Sequence, residues 1–111
     1  MSAYMYVTEY ATLLIPQVSD LKAQVPQEPP LVEQVVTLTG SSAQSAAFNA
    51  QTTLVRIHVD GSGPAGVTFG TNPTATVVSG TSGSGRFAAN QTEYRGVPKG
   101  QGFKVAGIVT T

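Results

Sequence analysis

From Leu54 to Val59 the side chains alternate without a break. Val55, Ile57 and Val59 fall on one face, and Leu54, Arg56 and His58 on the other. A period of two is the mark of a strand with one buried side. Asp60-Gly61-Ser62-Gly63-Pro64 ends the run with the residues that a reversal needs. Val67 and Phe69 resume the alternation, and Gly70-Thr71-Asn72-Pro73 supplies a second turn. Thr52 to Ala75 is therefore expected to form a hairpin, one wall of a core. It has no cysteine, no paired carboxylates and a single histidine. It reads as architecture.

Other segments share the pattern. Ala3 to Ala11 puts Tyr4, Tyr6, Thr8 and Tyr10 on one face and Met5, Val7, Glu9 and Ala11 on the other. Such a tyrosine stripe suits packing within the domain or docking on a neighbouring subunit. Leu31 to Thr39, Thr74 to Ser79 and Glu93 to Val97 are strand candidates, the last with Tyr94 inward between Glu93 and Arg95. In the closing run Phe103, Val105, Gly107 and Val109 alternate with Lys104, Ala106 and Ile108. Ala43 to Ala50 is a short strand or an irregular crossing anchored by Phe48. Asn90-Gln91 and Pro98 to Gly102 are turns, and Gly80 to Gly85 is a surface loop. About seven to nine short strands at this spacing imply an all-β protein, an antiparallel β-sandwich in jelly-roll or related Greek-key order.

Leu13 to Leu31 differs. Pro16, Pro26, Pro29 and Pro30 interrupt it, each removing a backbone donor and restricting the residue before it. A helix from Val18 to Val25, capped by Ser19, would be marginal at that length. The segment reads as an extended N-terminal arm whose leucines, isoleucine and valines need a cover. The expected division is residues 1–32 as N-terminal strand and proline-interrupted arm, and residues 33–111 as the β-sandwich domain.

The chain's 111 residues suffice for one modest core. Charged residues are only 11%, against about 25% in an average protein, and six basic side chains balance six acidic ones. Lys22, Arg56, Arg86, Arg95, Lys99 and Lys104 are scattered, so no nucleic-acid partner is expected. Leu13-Leu14-Ile15 is too short for a membrane span or a signal-peptide core, so no membrane partner is expected and synthesis is expected in the cytoplasm. A surface this poor in charge suggests that partners cover part of it.

Catalytic candidates are thin. His58 has no second histidine or cysteine with which to hold a metal, and Asp60 has no acidic neighbour to share a calcium ion. No serine sits in a nucleophile-elbow context, and the glycines of Gly80 to Gly85 lack the Lys-Ser/Thr of a phosphate loop. Asn90-Gln91-Thr92 matches a glycosylation acceptor but follows no secretory signal. Glu93 and Arg95 share a strand face and are candidates for an ion pair. No catalytic residue, cofactor or metal is expected, and the reading is of a non-enzyme.

Several pieces of the chain together resemble small virion proteins of tailed bacteriophages: Val55-Arg56-Ile57; FGTNPTAT from Phe69 to Thr76; RFAANQTEYRGV from Arg86 to Val97; a Pro-Gly turn; and Lys104-Val105-Ala106. The opening MYVTEYA resembles the N-terminal strand of such proteins. Among them, size and β content are similar to a capsid decoration or cement protein. That resemblance implies a structural role on the head, with the major capsid protein as partner and a homo-oligomer, a trimer or dimer, as the working unit. Tyr4, Tyr6 and Tyr10 would then anchor the arm, supported by Leu13, Leu14 and Ile15. The alternatives are another virion part, such as a head–tail adaptor or fibre base, and a carbohydrate-binding β-sandwich module using the same tyrosines.

Overall fold

A computed structural model describes residues 3–14, 25–61, 64–77 and 83–109. They form ten strands: β1 (Ala3–Tyr10), β2 (Leu13–Leu14), β3 (Val25–Pro26), β4 (Val32–Leu38), β5 (Ala43–Gln44), β6 (Leu54–Gly61), β7 (Ala65–Gly70), β8 (Gly85–Phe87), β9 (Thr92–Gly96) and β10 (Lys104–Val109). Two four-stranded antiparallel sheets face each other, ordered β4-β1-β6-β9 and β5-β10-β7-β8, and β2 pairs with β3 in a separate ribbon. The all-β sandwich expected from the alternation is the observed architecture.

Alternation sets the inward faces. Val55, Ile57 and Val59 are fully buried, as are Met5 and Val7 from β1 and Val105 and Val109 from β10. Phe87 and Leu38 join them in one core, with Phe48 anchoring the irregular crossing between β5 and β6. Gly107 lies on the inward row of β10 because a Cβ there would stand 2.7 Å from a methyl of Leu38. A larger residue there would force the Leu38 side chain to shift within the core. The turn after β9 uses left-handed backbone at Gly100 and Gly102, with φ of 72° and 67°.

Four expectations need correction. Thr52 to Ala75 is not a hairpin. β6 pairs with β1 and β9, and β7 with β10 and β8, so the chain crosses between sheets after Gly61. The two runs still line one core, but from opposite walls. Thr74 to Ser79 is not a strand over its described residues. Gln44 donates to Asn72 Oδ1 and the Pro73 carbonyl, and Ser42 Oγ accepts from the Ala75 N–H. These bonds draw the segment across the outer face of β10, where Ala75 covers Ala106 and Ile108. Tyr94 points outward and is 52% exposed, because its register partner is Arg56 on the outer face of β6.

The boundary at residue 32 is the fourth. β1 is an inner strand, bonded to β4 on one side and β6 on the other, and belongs to the sandwich. The described residues that follow it are tethered too. Gln27 N–H donates to the Thr12 carbonyl at 3.0 Å and Leu31 N–H to the Glu9 carbonyl at 2.8 Å. Over its described residues the segment pairs β2 with β3 as a ribbon and bonds back to the end of β1. The expected helix from Val18 to Val25 falls on residues outside those described, apart from Val25, which lies in β3.

Candidate functional site

The two sheets present unlike outer faces. That of β10 is covered by the segment around Ala75. That of β4-β1-β6-β9 is open, and the register places its side chains in rows. One row runs Val35, Tyr6, His58, Thr92; the next runs Glu33, Thr8, Arg56, Tyr94. Between them lies a groove of 450 Å³ lined by Tyr6, Thr8, Glu33, Val35, Arg56, His58 and Thr92.

Local contacts orient these groups. His58 Nδ1 lies 2.6 Å from Thr92 Oγ1. The Tyr6 and His58 rings stand 6.2 Å apart, tilted by 41°. Thr8 is buried beneath its neighbours, which makes it the floor. Arg56 and Glu33, on either side of Thr8, have no hydrogen-bond or ion-pair partner among the described residues. Alternation alone places Arg56 and His58 on one face. Glu33 joins them only through the pairing of β4 with β1, for which the sequence carries no local signal.

A second hollow of 400 Å³ adjoins this face, lined by Leu13, Val25, Pro26, Leu54 and Tyr94. Leu13, Val25 and nearby Leu31 are each about two-fifths exposed. The ribbon therefore leaves part of its apolar surface uncovered.

The expected docking residues separate in space. Tyr4 and Tyr6 are exposed on the open face, and Leu13 is exposed on the ribbon. Leu14 pairs with Val25, and Ile15 lies outside the described residues. Tyr10 is no surface anchor: only 3% exposed, it donates from its hydroxyl to Glu28 Oε2 at 2.7 Å. The Glu93–Arg95 ion pair is formed, and the Arg95 guanidinium lies 5.6 Å from the centre of the Phe87 ring. Among the described residues no three potential metal ligands are grouped.

Burial, followed by the hydrogen bond to Glu28 and the charge of that carboxylate, pushes the Tyr10 hydroxyl up to about 12. Below its ordinary value of 10.0 the phenol is neutral both folded and unfolded, and its favourable setting contributes fully to stability. As pH rises from 10 to about 12 the unfolded chain ionises first, so that contribution is lost. Thermal melts of the wild type and Tyr10→Phe should show the variant losing less stability across this window. Parallel loss in both proteins would refute the assignment.

No protein-family model, curated protein or solved structure matches this chain.

Proposed function

We propose that this chain is a non-enzymatic structural protein of a tailed-bacteriophage virion, a capsid decoration protein that binds across neighbouring capsid subunits. One observation carries the reading: the exposed ribbon residues Leu13 and Val25, which line one hollow with Pro26, Leu54 and Tyr94 beside the open sheet face. An apolar surface on a chain with so few charges is suited to contact with another protein. The sequence pieces that resemble phage head proteins support the same role. We also read the strand order as that of an eight-stranded jelly roll, an architecture common in capsid proteins. In this reading β1 fills the place of the closing strand.

A single contact of this size would be weak. A homo-oligomer binding a repeating shell would engage several contacts at once, and avidity would hold it there. The test is addition of purified protein to expanded phage shells, followed by cryo-EM. Density repeated over every facet is expected, and Leu13→Asp combined with Val25→Asp should remove it while the sandwich stays folded. Density confined to one vertex would replace the decoration role with that of a head–tail adaptor or fibre base. Shells left bare by the folded wild type would overturn the proposal.

A further inference from the structure

The groove on the open sheet face carries two side chains of opposite charge, Arg56 and the exposed Glu33. Arg56 is half-buried, yet its guanidinium has no hydrogen-bond or ion-pair partner among the described residues, and the same is true of the Glu33 carboxylate. A group with hydrogen-bonding capacity at the wall of a recess gains by meeting a ligand of matching character. An anion would satisfy Arg56 but would be repelled by Glu33. A cation would meet the reverse difficulty. A neutral ligand carrying many hydroxyls serves both, because each hydroxyl accepts from the guanidinium and donates to the carboxylate.

The other walls narrow the choice. Tyr6 offers an aromatic ring 38% exposed, and Val35 beside it is 57% exposed, so the ligand also needs an apolar side. His58 is held through Nδ1 by Thr92, and its Nε2 has no hydrogen-bond partner among the described residues. With neighbouring strands about 4.8 Å apart, the row from Val35 to Thr92 spans roughly 14 Å, the length of about two to three pyranose rings. The 450 Å³ groove falls within the range of small-ligand sites. Pyranose rings combine C–H faces with rims of hydroxyls, which is the pairing these walls require.

We propose that this groove binds a neutral oligosaccharide, stacked on Tyr6 and hydrogen-bonded by Arg56, Glu33 and His58. The inference stands apart from the virion role, since it uses neither the ribbon nor any capsid contact. The test is a panel of neutral oligosaccharides (glucose-, galactose-, xylose- and N-acetylglucosamine-based) with sialylated and sulfated glycans alongside, screened against the full chain. At least one neutral member should bind, and its NMR shift changes should map to Tyr6, Arg56 and His58. Tyr6→Ala and Arg56→Ala should each weaken that binding by about tenfold or more with unchanged melting temperature. Leu13→Ser, outside the groove, should leave it intact. Binding by none of the panel, binding by the anionic glycans alone, or binding that both groove variants retain would each overturn the proposal.

Discussion

A chain that begins at residue 13 is expected to show no cooperative unfolding. The missing strand, β1, pairs with both β4 and β6, so its loss strips hydrogen-bond partners from two strands at once. It also removes Met5 and Val7 from the core, each exposed by 1% or less. Burial of two such side chains contributes about 1.5–3 kcal/mol apiece, before any ladder bond is considered. Against a total stability of about 5–15 kcal/mol, losing both the packing and the ladders leaves no folded state. Circular dichroism melts of the truncated chain should be featureless, and a synthetic peptide of residues 1–12 should restore a transition by supplying the strand in trans. A truncated chain that melts like the full one would show that β1 is dispensable. This reverses what an arm would have implied, since an arm can be cut away from an intact sandwich.

Replacement of Glu9 should be the costliest single side-chain change on β1. Its carboxylate is completely buried on the inward row with Met5 and Val7. Oε1 accepts from the Asn49 N–H at 2.7 Å and from Thr52 Oγ1 at 2.8 Å, and Oε2 accepts from Gln34 Nε2 at 3.1 Å. Gln34 also accepts the Ala46 N–H. One carboxylate thus fastens the crossing between β5 and β6 to both β1 and β4. Glu9→Ala leaves buried donors unmet and opens a void, at an expected cost of about 3–5 kcal/mol. Glu9→Gln keeps the shape but sets an amide donor against Gln34 Nε2, and about 1–2 kcal/mol is expected. Urea titrations would measure both. Two variants within about 0.5 kcal/mol of wild type would mean that the bonds contribute little.

Period-two patterning made much of the fold legible. Val55, Ile57 and Val59, and the row from Val105 to Val109, face the core because a strand with one buried side has no other way to satisfy that spacing. Pairing was not legible. Nothing local in Ala3–Tyr10 shows that its neighbours will be residues 32–38 and 54–61, so a tyrosine-striped strand at a terminus read equally well as a docking element. Thr74 to Val77 has the β-branched residues of a strand, but side-chain bonds from Gln44 and Ser42 override that preference. Tyr94 was misplaced because β9 is an edge strand. Its inward row, Glu93 and Arg95, is polar, which removes the contrast that normally tells one side from the other. The candidate groove was half legible: Arg56 and His58 share a face by alternation, while Glu33 and Thr92 arrive by strand pairing.

The place of β1 also bears on how the protein is made. Ala3 is bonded opposite Gly61, so β1 leaves the ribosome well before β6 and must wait for that partner. At roughly 5–20 residues per second, synthesis of that partner takes seconds, during which Met5 and Val7 have no lasting shelter. Sheets assembled from such distant segments close slowly, in milliseconds to seconds once the chain is complete. A nascent chain stalled before residue 54 can pair β1 with β4 but lacks β6 and the facing sheet, and the interval before β6 emerges is when misassembly threatens it most.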